Sequence, residues 1–514
     1  MKRRSFLKAM TLAGTTMGIG TFLNCQKVSR KPNIIFIMAD DLGYGELGCY
    51  GQQKIETPNI DALAANGMRF TQFYSGAPVC APARCVLMTG KHTGHAHIRG
   101  NDEWASRGDV WDYEAMIKDP NLEGQRPIPE NTVTVGRLLQ NAGYKTAVVG
   151  KWGLGGPLTE GIPNKQGFDL FYGFNCQRQA HIYYPKHLWK NEEKVWLDNE
   201  LVLRDTKLPD GADPYDASAY AKFTQKYYAP DLMFDEISNF VDENRDNPFF
   251  LYWATNIPHV SLQAPEKWVQ KYVEKFGDEE PYLGERGYLP HRYPRAAYAG
   301  MVSYLDDQVG QLVNQLKQLG LYENTVIFFT SDNGPTYGGG ADSGYFESAK
   351  PLTTAADRIK GSVYEGGIRS PLVASWPGRI EPGGVTEHLS AFYDVLPTLC
   401  DIAGCPAPDD TDGVSFVPEL LGNEGQSKHD FLYWEFHARG GQQAVRMGEW
   451  KAIRRNLQKG LSETELYNLT DDIGEQNNVA KQHPDIVKKI EQIMKQEHTL
   501  PAIERFKMKS LGDV

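Results

Sequence analysis

Two acidic pairs stand where apolar runs end. Asn33-Ile34-Ile35-Phe36-Ile37-Met38 leads into Asp40-Asp41, and the run Thr325–Thr330 leads into Asp332-Asn333. One Asp after a strand usually caps a helix or begins a turn. Two adjacent carboxylates at one strand end and a carboxylate–amide pair at another point instead to a ligand. Four oxygen donors suit a hard divalent ion, Ca²⁺ or Mg²⁺, better than zinc, and the sequence has no C-x-x-C pair to favour zinc. The third feature is Pro78-Val79-Cys80-Ala81-Pro82-Ala83-Arg84-Cys85. Neither disulfide nor metal chemistry accounts for the proline and arginine that follow Cys80 at fixed spacing.

Strands and helices must bring these groups together. The run Asn33–Met38 is continuously apolar, the mark of a strand buried on both faces of a mainly parallel sheet. Similar runs recur at Lys145–Val149, Phe249–Ala254, Thr325–Thr330 and Leu372–Ser375. Helical patterns lie between them at Asn59–Asn66, Thr134–Asn141, Asp231–Glu243, Tyr298–Leu319 and Ala391–Ala403. The alternation predicts a doubly wound α/β domain over 30–405, and in such sheets ligands collect beyond the carboxyl ends of the strands. Residues 406–514 read as a smaller α+β subdomain. Short strands at Phe431–Glu435, Ala444–Met447, Lys451–Arg454 and Glu465–Leu469 form an antiparallel sheet, with an amphipathic helix at Pro484–His498. The stretch Gly153–Pro230, rich in aromatic, Gly and Pro residues, reads as elaborated loops, where specificity usually resides.

The net charge of −11 excludes a general nucleic-acid binder. Hydrophobic and charged contents of 41% and 23% fit a soluble globular protein. Residues 1–25 stand apart: Arg3-Arg4-Ser5-Phe6-Leu7-Lys8 precedes a weakly apolar run too short to span a bilayer. The paired arginines resemble a bacterial twin-arginine export signal, which places the mature protein in the periplasm or cell envelope. Cys25 is either a lipid-anchor cysteine, the one membrane link expected, or an incidental residue beside an ordinary cleavage site. Seven cysteines are few for a disulfide scaffold, although Cys400 and Cys405 are close enough for one bridge.

Cys80-Ala81-Pro82-Ala83-Arg84 followed by Leu87-Met88-Thr89-Gly90 resembles the signature of the type I, formylglycine-dependent sulfatases of the alkaline phosphatase superfamily. The resemblance extends along nearly the whole mature chain, through Thr57-Pro58-Asn59-Ile60-Asp61, Ser331-Asp332-Asn333-Gly334, Lys360-Gly361, Tyr364–Arg369 and Glu465–Leu469. It implies that a maturation enzyme oxidises Cys80 to Cα-formylglycine (3-oxoalanine), whose hydrate is both metal ligand and nucleophile. It implies one Ca²⁺ held by Asp40, Asp41, Asp332, Asn333 and residue 80. Arg84 would then fix residue 80, Lys151 and Lys360 would bind sulfate oxygens, and His259 would protonate the leaving oxygen. The implied substrate is a sulfated glycan or oligosaccharide, with aryl sulfates as artificial substrates.

One departure stands out. Gly150-Lys151-Trp152 is followed by Gly153 where the family pattern has a histidine that helps release sulfate. His181, or the pair His95 and His97, are the candidates to replace it, with His181 placed first. Two other readings remain open: a phosphate or phosphonate ester hydrolase on the same fold, and a non-catalytic protein that binds sulfated glycans.

Overall fold

A computed structural model describes residues 30–513 apart from 354 and 461. The segment 1–25, with its paired arginines and Cys25, lies outside the described residues. Lys31 to Val514 form one compact unit. Among the described residues no helix is long and apolar enough to cross a membrane.

The main sheet has ten strands. Its centre is five parallel strands in the order Thr325–Ser331, Asn33–Ala39, Phe249–Ala254, Lys145–Lys151, Leu170–Phe174. Every residue of Asn33–Ala39 is buried. Side chains alternate between faces along a strand: Ile34, Phe36 and Met38 enter one core, while Ile35, Ile37 and Ala39 enter the other. Burying each of the larger side chains is worth about 1.5–3 kcal/mol, so an apolar run with no polar alternation is what this position demands. The register sets Ala39 beside Ser331, and Ala254 beside both Met38 and Gly150. Asp40, Asp332 and Lys151 therefore emerge together at the carboxyl edge.

All five strands read from the apolar runs are present, although Leu372–Ser375 runs antiparallel to its neighbours Thr325–Ser331 and Met68–Phe70. The reading of 153–230 as loops is corrected. This stretch supplies the strands Leu170–Phe174, His187–Lys190 and Glu193–Trp196, which extend the main sheet to its edge. The expected helices form, the longest being Pro294–Gln318.

The tail forms a separate four-stranded antiparallel sheet of Leu432–Phe436, Gln442–Met447, Trp450–Arg455 and Glu465–Asn468. Trp434, Ala444, Ile453 and Tyr467 on one face join the larger core. Tyr433, Val445, Ala452 and Leu466 on the other are covered by Ile490, Ile493 and Met494 of the helix Pro484–Gln496. Cys400 and Cys405 are free thiols rather than a bridge.

Candidate active site

Cys80 begins the helix Cys80–Thr89, which is buried over all but its last residue and ends at the left-handed Gly90. Pro82 falls in the first turn, where a missing N–H breaks no helical bond. Four residues make about one helical turn, so Arg84 lies on the same face as Cys80. Arg84 Nη2 donates to Asp332 Oδ2 at 2.9 Å and Nη1 to the Lys151 carbonyl at 2.5 Å. The arginine thus ties three chain segments beneath residue 80.

The acids converge as their strand ends predict. Asp41 has a left-handed backbone, φ 68°, and its N–H donates to Asp332 Oδ1 at 3.1 Å. Asn333 Nδ2 donates to Asp41 Oδ1 at 2.8 Å, which leaves Asn333 Oδ1 buried with no hydrogen-bond partner among the described residues. One ligand atom each from Asp40, Asp41, Cys80 and Asp332 lies within 4.8 Å of the others. Buried charges are normally paired or bound to metal. Burial and the Asp40 charge push the Asp332 carboxyl up to about 7 against the pull of Arg84 and Lys151. At Asp40 burial acts in the same upward sense, but Lys151, His259, Arg84 and Lys360 outweigh it and hold the carboxyl well below the usual range. Three buried carboxylates and an orphaned amide oxygen fit a hard divalent cation.

Lys151 Nζ donates to Asp40 Oδ2 at 2.6 Å, and Lys360 Nζ approaches Asp41 Oδ1 at 2.5 Å. Cys80 Sγ lies 3.4 Å from Asp40 Oδ1 and 3.8 Å from Lys360 Nζ. Burial and the Asp40 carboxylate push the thiol far above its ordinary value, so an unaltered Cys80 is a protonated thiol at neutral pH and a poor nucleophile.

His259 Nε2 lies 3.6 Å from Asp41 Oδ2, and Nδ1 meets the Val260 carbonyl. A carbonyl only accepts, so Nδ1 carries the proton and the neutral ring keeps a lone pair on Nε2. Burial and Lys360 push this imidazole down to about 4. His181 stacks on His259 with ring centroids 4.0 Å apart and planes 8° from parallel. Its Nδ1 is buried without a partner among the described residues, and burial and His259 hold the ring well below the usual histidine value.

The other histidines named from sequence are held elsewhere. His95 Nδ1 sits 2.9 Å from Asp412 Oδ1 and the ring stacks on His92, while His97 has Arg126, Arg99 and Glu160 as its charged neighbours. Sequence reasoning missed Gln177. A Cβ placed on Gly153 would lie 2.9 Å from Gln177 Cγ, so the space beside Gly153 belongs to Gln177 and not to His181. Gln177 Nε2 reaches Asn101 Oδ1 at 3.4 Å, and that oxygen accepts from the Ala81 N–H at 3.1 Å. No residue pattern in the segment Asn175–Arg178 signals this contact.

The sequence profile of the sulfatase family matches residues 32–405. The chain belongs to the sulfatase family. It is a sulfuric ester hydrolase on an alkaline-phosphatase-like fold. The C-terminal profile of N-sulphoglucosamine sulphohydrolase matches residues 359–500 of this sulfatase. Human arylsulfatase A is 32% identical over 502 residues, which cover 91% of this chain and 87% of that protein. Rat N-acetylgalactosamine-6-sulfatase is 32% identical over 441 residues, 82% of this chain and 71% of that one. Among solved structures, Ps i-CgsB in complex with k-i-k-neocarrahexaose superposes with a TM-score of 0.71 at 29% identity, covering 92% of this chain and 94% of that one.

Proposed function

We propose that this sulfatase removes sulfate from a sulfated carbohydrate, using Cys80 in its formylglycine form and a Ca²⁺ ion. One observation carries the reading. Cys80 Sγ lies between the Asp40 carboxylate and Lys360 Nζ, at the centre of a hydrolytic site, in an environment that disables it as a thiol. Conversion of residue 80 supplies a hydrated aldehyde oxygen as nucleophile, and a bound Ca²⁺ supplies Lewis-acid polarisation. Asp40, Asp41, Asp332 and Asn333 would hold the ion.

This chain's other residues bind, orient and move protons. Arg84 fixes the start of the Cys80 helix by charge-assisted hydrogen bonds. Lys151 and Lys360 give the sulfate oxygens two cationic partners in a buried setting, where such contacts count for more than in water. His259 handles the proton of the leaving oxygen at Nε2, and an arriving anion raises the proton affinity of that atom. His181, neutral and with an unpartnered Nδ1, is the second imidazole available as a base when sulfate departs.

A carbohydrate substrate is supported by the oligosaccharide in the Ps i-CgsB structure and by the sugar named in the N-acetylgalactosamine-6-sulfatases. The paired arginines near the N-terminus support export to the periplasm or cell envelope. The decisive experiment compares protein made with and without a formylglycine-generating maturation enzyme. Conversion should lower the mass of the Cys80 peptide by about 18 Da and switch on sulfate-ester turnover. Sulfate esters should be turned over faster than matched phosphate esters, and Cys80→Ala should be folded and inactive. Activity in Cys80→Ala would remove the nucleophile from this reading.

A further inference from the structure

A cleft of about 450 Å³ reaches Lys360, and Val79, Asn101 and Phe436 are among the residues that line it. Lys360, Arg286, Arg439 and Arg505 line it, and no carboxylate does, in a chain whose net charge is −11. Arg505 is paired, with Nη1 2.8 Å from Asp102 Oδ1, a carboxylate it shares with Arg126. Arg286 and Arg439 have no carboxylate partner among the described residues.

Arg439 is exposed but has contacts that fix its position. Its backbone is left-handed, φ 50°, a conformation that costs a non-glycine residue about 1–3 kcal/mol. Its guanidinium lies over the Tyr337 ring, 5.1 Å from the centroid, and Nη2 donates to the Tyr337 hydroxyl. It also rests on Gly361, where a Cβ would come within 2.6 Å of Arg439 Nε. Gly361 has φ +85°, which by itself favours glycine, and its missing Cβ also leaves room for the Arg439 guanidinium on the residue after Lys360.

Resting on the sulfatase reading above, we propose that the cleft binds a second anionic group of the substrate, with Arg439 as its principal contact and Arg286 as a supporting one. The substrate class is a polyanionic saccharide: one sulfate ester at the reacting centre, and a further sulfate or carboxylate on the same or the adjoining sugar. A planar guanidinium matches either oxyanion with two parallel hydrogen bonds, and Tyr337 pre-orients it before the ligand arrives.

The test uses the full-length Cys80→Ala protein, so that no saccharide is consumed, and measures binding by calorimetry. Three matched pairs serve as probes: N-acetyl-D-glucosamine 6-sulfate against D-glucosamine-2-N,6-O-disulfate, κ- against ι-carrageenan oligosaccharides of equal length, and 4-sulfated chondroitin disaccharide against its carboxyl-reduced form. The first two pairs probe a second sulfate and the third a carboxylate. The more charged member should bind at least about tenfold tighter in one or more pairs, and added salt should narrow the gap. Arg439→Ala on the same background should bring that ratio close to one, with Arg439→Lys intermediate. Because the ratio is read within each variant, a general loss of binding cancels. A ratio near one in every pair, no binding of any probe, or a ratio that survives Arg439→Ala would overturn the proposal. Turnover of 4-nitrophenyl sulfate by the converted protein tests the sulfatase reading separately.

Discussion

Gln177 covers Gly153: a Cβ on the glycine would stand 2.9 Å from Gln177 Cγ and 3.1 Å from its Cδ. Gly153 also has φ +86°, a region that side-chain-bearing residues enter at a cost. The glycine is therefore built into this site, and restoring a histidine there is more than filling a gap. Gly153→His should destabilise the protein by about 1–3 kcal/mol in urea unfolding and should not raise turnover. Adding Gln177→Ala removes the overlap and leaves the backbone strain, so only part of the loss should return. A Gly153→His protein as stable as the parent would show that Gln177 yields freely.

His181 offers a lone pair and a flat ring, and two substitutions separate them. His181→Phe keeps a ring to stack on His259, 4.0 Å away in the native protein, and removes the basic nitrogen. Steady turnover should fall by about 10² or more in both His181→Phe and His181→Ala, while the first burst of product is kept. Sulfated residue 80 should accumulate and be visible by mass spectrometry. Near-native turnover in His181→Phe would reduce His181 to a stacking partner.

The central strands were legible because burial on both faces leaves no room for polar alternation, as in Asn33–Ala39. The metal-site candidates were legible for the same reason: acids directly after such strands emerge at one edge of the sheet. The edge strands were not. Glu193–Trp196 is exposed or half-buried along its length, so its charged residues read as loop, which is how solvent-facing edges are commonly composed. Leu170–Phe174 carries Gly173, with φ 148°, and a glycine inside a strand weakens the pattern. Gln177 was invisible because its role comes from a contact with a glycine 24 positions earlier in the chain, which no local periodicity encodes.

Metal dependence follows from the donor set. Prolonged chelation should abolish sulfate-ester turnover and lower the melting temperature, because an ion bound by the folded protein and not by the unfolded chain stabilises the fold. Ca²⁺ should restore both better than Zn²⁺, whose preference runs to nitrogen and sulfur. Asn333→Ala removes the orphaned oxygen and should raise the Ca²⁺ concentration needed for half-recovery. Full activity after exhaustive chelation would contradict the assignment of Asp40, Asp41, Asp332 and Asn333.

Lys451 of the small sheet reaches across to Glu365 at the start of the short helix Glu365–Ile368. Lys451 Nζ lies 2.7 Å from Glu365 Oε1 and 3.0 Å from Glu475 Oε1, and all three side chains are fully buried. Burial raises the Glu365 carboxyl, but Lys451 and Arg369 outweigh it and hold it down at about 2. Removing the lysine leaves Glu475 with no ion-pair partner among the described residues and Glu365 with Arg369 alone, so Lys451→Met should cost about 3–5 kcal/mol. Combining it with Glu365→Gln and Glu475→Gln should recover part of that loss. Chemical unfolding of the three proteins checks this, and a cost below about 1 kcal/mol for Lys451→Met would mean that water reaches the site.

The C-terminal tail carries a stability term whose pH dependence has a definite sign. His498 Nδ1 lies 2.8 Å from Glu435 Oε2, and Nε2 lies 2.9 Å from Asp513 Oδ1. Burial alone would lower its proton affinity, but the hydrogen bonds and charges of Glu435 and Asp513 prevail and raise it above the ordinary value. A raised folded-state value means that protonation favours the folded form. The stabilisation is complete below the unfolded value of about 6.5 and is lost as pH rises through the higher folded value. His498→Ala should therefore cost about 1–2 kcal/mol at pH 6 and measurably less at pH 9, where the neutral ring can donate to only one of its two carboxylates. Urea midpoints of both proteins at the two pH values provide the measurement, and a cost that is equal at both, or larger at pH 9, would show that the imidazolium is not what secures the tail.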